Sequence, residues 1–214
     1  MKKSALALGL TLMVAAPAGA QHVSGGAQFA FAEYAEQGPA LRFAGSGVAG
    51  HVGVTWRRYG LSAAVARMAL RSRESASTAE PFDLTQTDVH LRVRATRLVS
   101  VEAGFVNRSI EPENAAQSMA AARLGAVMVV PLAVGSDVAV RAGYLGGGKF
   151  SGGGSAPFGV EVGLGATYAP WIERLRLTGD VEFQRLDRRV GTAAGNVKSP
   201  IQSSVARIGV QVTY

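Results

Sequence analysis

From residue 25 onward, apolar side chains recur at every second position in segment after segment, and the intervening positions carry charge or glycine. A period of two is the signature of a strand with two unlike faces. It predicts ten strands, at 25–34, 45–56, 61–70, 86–95, 99–108, 119–130, 137–145, 158–169, 175–186 and 203–214. The clearest apolar faces are Val48-Val52-Val54-Trp56, Val89-Leu91-Val93, Val99-Val101-Ala103-Phe105, Leu124-Ala126-Met128-Val130, Val138-Val140-Ala142-Tyr144, Phe158-Val160-Val162-Leu164 and Leu175-Leu177-Val181-Phe183. The register of 61–70 is ambiguous. The connections alternate between brief (Arg57 to Gly60, Thr96 to Leu98, Pro131 to Ser136, Pro170 to Arg174) and long, polar ones (35–44, 71–85, 109–118, 146–157, 187–202).

Each segment is near the ~9–11 residues with which a tilted strand crosses a bilayer, and only a closed barrel satisfies every strand hydrogen bond in hydrocarbon. The expected fold is all-β: a single closed antiparallel up-and-down transmembrane barrel of about ten strands, or eight if one weak pair is misread. Short turns then lie at the periplasmic end and long loops outside. Trp56 and Tyr59, Tyr168 and Trp171, and Tyr214 flank the short turns, where an aromatic girdle sits at a membrane interface. Tyr144, Phe105, Phe31 and Phe183 would form the opposite belt.

The amino terminus sharpens the address. Lys2 and Lys3, an apolar run from Ala5 to Ala16, and Pro17-Ala18-Gly19-Ala20 read as a signal peptide cleaved after Ala20. Residues 21–214 form the barrel domain. Removing twenty of the 214 residues leaves about 194, which suits one domain. Loss of the two lysines lowers the formal charge from +7 to +5. The remaining basic residues are nearly all arginines, spread singly along strands instead of clustered with stacking aromatics, so nucleic acid is not an expected partner. There is no cysteine, so a disulfide framework is excluded.

If the apolar faces meet lipid, the opposite faces carry Asp88, His90, Arg92, Arg94, Glu102, Arg108, Arg123, Asp137, Arg141, Glu161, Arg176, Asp180, Glu182 and Arg207. A midplane Arg or Lys exposed to lipid costs ~2–4 kcal/mol, and a dozen charges would exceed the ~5–15 kcal/mol that stabilises a domain. They must point inward. Gly104, Gly125, Gly143, Gly163, Gly165 and Gly209 share that face, leaving room for long side chains to interdigitate in a packed charge network.

The alternation and the carboxyl-terminal strand together resemble the small outer-membrane β-barrel proteins, of OmpA and OmpX type or with a porin-like outer-membrane barrel domain. In that family a terminal aromatic with apolar residues at alternate preceding positions is read by the barrel-assembly machinery. Tyr214, Val212, Val210, Ile208 and Ala206 occupy those positions, with Tyr in place of the commoner Phe. The resemblance implies an outer-membrane location, lipid and lipopolysaccharide contact, and a structural, surface-interaction or narrow solute-passage role without catalysis.

The residues also admit other chemistries. Asp88-Val89-His90 sets a carboxylate and an imidazole on one inward face, which can orient a base toward water. It is similar to the Asp-x-His of omptin proteases and makes a barrel hydrolase using Asp88 and His90 one alternative; omptins also need a second acidic pair, of which Asp180-Val181-Glu182 is the nearest analogue but not the same pair of residues. Lipid A deacylases and palmitoyltransferases need Ser and His, and neither His51-Val52-Gly53 nor His90-Leu91-Arg92 supplies the hydroxyl in sequence. A soluble periplasmic barrel carrying an apolar ligand is a further alternative, since it too alternates. Gly143 to Lys149 fits the first part of a phosphate-binding loop, but Phe150 replaces the magnesium-binding Ser or Thr and glycines follow where a helix should start. No cofactor or metal site is expected. Arg71, Arg73, Arg188, Arg189, Lys149 and Lys198 are expected to face the outer leaflet, where guanidinium and ammonium groups suit phosphate.

Overall fold

The computed structural model describes residues 22–37, 41–74, 79–112, 115–169, 172, 174–192 and 195–214, so the expected signal peptide lies outside the described residues, as does Trp171. Ten long strands are β1 (His22–Glu36), β2 (Leu41–Trp56), β3 (Tyr59–Ser72), β4 (Phe82–Arg94), β5 (Val99–Glu111), β6 (Met119–Ala133), β7 (Ser136–Phe150), β9 (Gly159–Tyr168), β10 (Leu175–Leu186) and β13 (Ile201–Thr213). Three short ones, β8 (Ser155–Ala156), β11 (Arg189–Thr192) and β12 (Gly195–Lys198), belong to the long connections.

Each long strand pairs antiparallel with its sequence neighbour, β9 pairs with both β7 and β10, and β1 pairs with β13. The sheet therefore closes into a ten-stranded up-and-down barrel with no free edge. Closure is tied at the chain end, where Val23 N–H donates to the Tyr214 carbonyl at 2.9 Å and Tyr214 N–H donates back at 2.8 Å.

Side chains alternate between the two barrel faces, as the pleat requires. Over the half nearest the short turns, the outward positions are apolar. Phe29, Val48, Val52, Val65, Phe105, Leu124, Val162, Val181 and Ile208 all stand exposed, as a lipid-facing belt must and as the surface of a water-soluble monomer does not. Trp56 and Tyr59 stack at 5.9 Å beside the first short turn, and Arg174 lies 5.3 Å over the Tyr214 ring, so amphipathic rings gather at that rim.

Toward the long loops the polarity inverts. Outward positions become Glu33, Arg67, Arg71, Asp83, Asn107, Ser109 and Glu111, while the inward ones become Tyr34, Phe43, Met68, Leu70, Phe82, Leu84, Val106, Ile110, Met119, Phe150, Leu186 and Ile201, packed in one buried cluster. This explains the ambiguous register of β3: its apolar face is Leu61 and Val65 outside at one end, and Met68 and Leu70 inside at the other. Edge-on contacts of Phe82 with Phe43 (4.8 Å) and with Tyr34 (5.7 Å) fill the centre of that plug.

Two glycine devices shape the wall. Gly147 has φ +65° at a register shift between β6 and β7, a bulge position that suits glycine. The extra residue flips the parity of β7, so Leu145 and Phe150 both face inward. At Gly104 a Cβ would stand 2.1 Å from the Val89 carbonyl oxygen and 2.7 Å from the His90 Cα, so β5 approaches β4 too closely there for any other residue.

Candidate functional site

Beneath the apolar plug, inward charged side chains from seven of the strands build a layered ionic network. Glu102 on β5 is fully buried and lies at its middle. Arg92 donates to it from Nε at 2.7 Å and approaches at 2.5 Å through Nη2, Arg141 lies at 3.4 Å, and Arg123 at 3.8 Å. Arg123 also donates a very short bond to Glu161 and stands 3.6 Å from Asp88. Across the lumen, Arg207 donates to Asp180 at 2.8 Å and to Glu182 at 2.5 Å. Near the short turns Arg176 donates to Asp137 at 3.4 Å.

Uncharged residues complete the assembly. Gln86 donates to Asp88 at 3.0 Å, and Gln184 donates to Glu161 at 3.2 Å and to Glu182 at 2.6 Å. Their amide oxygens both accept from Arg108, at 3.0 and 2.6 Å, and Ser203 accepts a third bond at 3.2 Å. Arg108 is buried directly under the plug and has no carboxylate at ion-pair distance among the described residues. The two glutamines act as neutral relays that pass its charge to the acids two residues away on their own strands. Burying a guanidinium without such partners would cost several kcal/mol.

The network unites Asp88, His90, Arg92, Glu102, Arg123, Arg141 and Glu161 on one side and Asp180, Glu182 and Arg207 on the other. Asp137 and Arg176 form a separate pair, and Arg94 is exposed at the rim. Gln28, which donates to Asp180 at 3.3 Å, and Ser62, Gln86, Gln184 and Ser203 were not legible as members, because an uncharged polar residue on a polar face gives no distinguishing signal in the sequence.

His90 illustrates what the arrangement can do. Cross-strand pairing sets it opposite Ser62, and the Ser62 hydroxyl lies 2.8 Å from its Nε2, with Glu102 3.5 Å from the same nitrogen. Nδ1 is buried without a partner. A serine nucleophile needs its acid on the nitrogen opposite the hydroxyl, to orient the ring and hold the imidazolium. Here serine and acid share one nitrogen, so the trio is a structural bridge between β3, β4 and β5. Asp88 accepts from Gln86 at 3.0 Å and stands 3.6 Å from Arg123.

A cavity of about 410 Å³ occupies the half of the lumen nearest the short turns. Its lining runs from Ser24, Thr55 and Gln211 at that end up to Asp88 and Arg123, and stops below the plug. At the opposite mouth a clasp covers the plug. Glu36 accepts from Gln117 at 2.5 Å, from Ser199 at 3.0 Å and from Arg188 at 3.4 Å, while Arg188 also donates a very short bond to Gln117 and lies 4.7 Å over the Phe150 ring. Arg188, in the last long connection, is thus buried and does not face the outer leaflet, because Glu36 and Phe150 draw it over the mouth.

Ala206, Ile208, Val210 and Val212 take outward positions of β13, between β1 and β10, and Tyr214 follows the strand, exposed.

No protein-family model and no curated protein sequence matches the chain. Among solved structures it is similar to an outer membrane channel from Pseudomonas putida F1, at TM-score 0.51 and 9% identity over 94% of this chain and 97% of that one. It is similar also to the outer membrane protein OprG from Pseudomonas aeruginosa (TM-score 0.44, 11% identity, 91% and 96% covered). A third is Ail, the attachment invasion locus protein of Yersinia pestis (0.42, 11%, 90% and 98%). At these identities the likeness is one of fold, and the fold is that of outer-membrane β-barrels.

Proposed function

We propose that this chain is an integral outer-membrane barrel whose lumen is sealed, and that it works through the surface it presents outside the cell and not by catalysis or as an open pore. Export by residues 1–20 and recognition of the β13 outward face, ending in Tyr214, by the barrel-assembly machinery complete this reading. The observation that carries it is the stacking of a buried apolar layer on an ionic one across the bore. Glu102, Arg108 and Glu161 are all at or below 2% exposure, and the apolar plug above them includes Leu70, Ile110 and Leu145 at 0%. Ions cannot pass an apolar constriction without dehydration, and the plug of Leu70, Ile110 and Leu145 stands across the bore above the cavity that the ionic residues line.

The competing reading is narrow solute passage, favoured by the cavity that reaches from the short-turn end to Arg123 and by the channel function in the printed name of the Pseudomonas putida structure. Planar-bilayer recording of the refolded full chain separates the two. The sealed barrel gives no steps above baseline, whereas sustained open-channel steps reject it. Heat-modifiable migration on gels and extraction only by detergent test the membrane location, and recovery in a salt-washed soluble fraction overturns it.

A further inference from the structure

The cavity below the plug is closed above and open below. It reaches Ser24, Thr55 and Gly60, each within two residues of an end of β1, β2 or β3, so its mouth lies at the short turns. Charged side chains inside it meet solvent through that mouth, and the two signs do so unequally. On the wall from β4 to β7, the guanidiniums of Arg92 and Arg141 flank the two oxygens of Glu102 at 2.5 and 3.4 Å. Those two side chains are 39% and 27% exposed, whereas Glu102 is 0% exposed and Glu161, behind Arg123, is equally covered. The cavity therefore meets the cations and not the acids that hold them.

Arg141 has donors to spare. Its Nε approaches Glu102 without a hydrogen bond, and Arg141 makes none elsewhere among the described residues, although a guanidinium carries five N–H donors. Its cross-strand neighbour on β9 is Gly163, and Gly165 takes the next inward position, so the wall beside it carries no side chain. The accessible acids are Asp180 and Asp137, and both already accept, from Arg207 at 2.8 Å and from Arg176 at 3.4 Å.

The mouth is basic as well. Arg57, Arg58, Arg94, Arg97 and Arg174 lie in or beside the short turns, whose sequences hold one acid, Glu173. Arg58, Arg94, Arg97 and Arg174 are exposed, with no carboxylate at ion-pair distance among the described residues. Arg58 and Arg174 stand over the rings of Tyr59 and Tyr214 at 5.7 and 5.3 Å, which holds them at the rim. A cleft edged by one sign of charge between low-dielectric walls focuses its field and concentrates the opposite ion.

We infer that the lower cavity is a blind binding site for a small oxyanion, a carboxylate or phosphate borne by a periplasmic solute, gathered by the rim arginines and held by Arg141 with Arg92 beside it. Guanidinium forks suit both groups, and about 410 Å³ lies within the ~300–1,000 Å³ of small-molecule sites. The site takes its closed upper end from the sealed-barrel reading above and adds a ligand class to it.

The test is thiol labelling of the full chain, refolded in detergent and carrying A139C, a cavity position one inward step from Arg141 in a sequence with no cysteine of its own. Rates are measured with anionic sulfonatoethyl and cationic trimethylammonioethyl methanethiosulfonate, each divided by its rate with free mercaptoethanol. The anionic reagent should react faster by about tenfold or more, as expected of a one-signed cleft. R141Q should remove most of that preference, R94Q/R97Q should lower it, and R67M, on the outer wall, should leave it unchanged. Succinate or inorganic phosphate should slow the anionic reagent more than sodium chloride does at matched ionic strength, and the one that acts at lower concentration names the source of the oxyanion. Equal normalised rates for the two reagents, an unchanged ratio in R141Q, or slowing by succinate and phosphate no greater than by chloride overturns the site. Heat-modifiable migration checks that R141Q is folded, and R94Q/R97Q reads the same field in a chain whose lumen is intact. Open-channel steps in planar bilayers sink the sealed reading, whereas a silent barrel that labels equally with both reagents sinks the site alone.

Discussion

Replacing Arg123 with Met removes one cation from three carboxylates at once: Glu161, Asp88 at 3.6 Å and Glu102 at 3.8 Å. Glu161 and Glu102 are buried almost completely, so neither can recover its solvation by turning to bulk water. Breaking a buried pair from one side leaves an uncompensated charge and costs about 3–5 kcal/mol. With a urea dependence of roughly 1–3 kcal/mol/M for unfolding, the midpoint should fall by on the order of 2 M. The assay is urea unfolding of the barrel refolded into phospholipid vesicles, followed by gel mobility and by tryptophan fluorescence. Arg67→Met is the matched control, since it breaks an ion pair of similar length whose side chains are 70% and 42% exposed, and its midpoint should not move. Adding Glu161→Met to Arg123→Met should restore part of the loss, because the orphaned acid leaves with its partner. A midpoint for Arg123→Met indistinguishable from that of Arg67→Met would show that water reaches the lumenal carboxylates freely, and the sealed-barrel argument would fall with it.

Four further outcomes follow from single contacts. Gly104→Ala should abolish the heat-modifiable form on gels, because its Cβ would overlap the Val89 carbonyl and the His90 backbone. Tyr34→Phe should be neutral or stabilising by up to about 1 kcal/mol in urea unfolding, since the Tyr34 hydroxyl is buried without a partner and removing an unsatisfied group returns its desolvation cost. Leu124→Arg, on the exposed apolar belt, should cost about 2–4 kcal/mol in vesicles if it lies near the bilayer midplane. Glu36→Ala should free Gln117, Arg188 and Ser199 and speed proteolysis of the connection 187–200, yet create no conductance, because the plug below it is intact.

How much of this was legible in the sequence depends on what each residue had to signal. Period-two alternation put the ionic candidates on the face opposite the apolar one, because a charge on an otherwise apolar strand is unambiguous about which side can accept it; Glu102, Arg123 and Glu161 are buried there, whereas Arg94 at the rim is exposed. It could not place Met68, Leu70 or Phe82, since an inward apolar residue contradicts the rule that orders the lower half of the same strand. Gly147 breaks parity without leaving a periodic trace, so Lys149 and Phe150 fall on faces that counting from Arg141 reverses. Gln86 and Gln184 sit two residues from Asp88 and Glu182, but nothing local says that Arg108, on a third strand, needs their carbonyls. Arg188 looked like loop charge because its partner Glu36 is 152 residues away.

The inversion of polarity follows from strand length. A strand of 15 residues such as β1, at roughly 3.3 Å per residue, is about 50 Å long. Tilted by about 40° it rises about 38 Å, against an apolar band about 25 Å tall. The wall therefore stands about 13 Å clear of hydrocarbon, and in that zone the solvent on the outside is water. The same strand must then obey the opposite rule: Phe31 faces out and Ala32 in, but two residues on, Glu33 faces out and Tyr34 in. Once the exterior of the upper wall is wet, its interior is the only place where its apolar surface can be buried, and burying that surface fills the bore. Sealing is in this sense a consequence of height. A ten-stranded barrel that rises above the membrane and keeps its upper wall folded in water must close itself with its own core, unless its loops or a ligand supply that core instead.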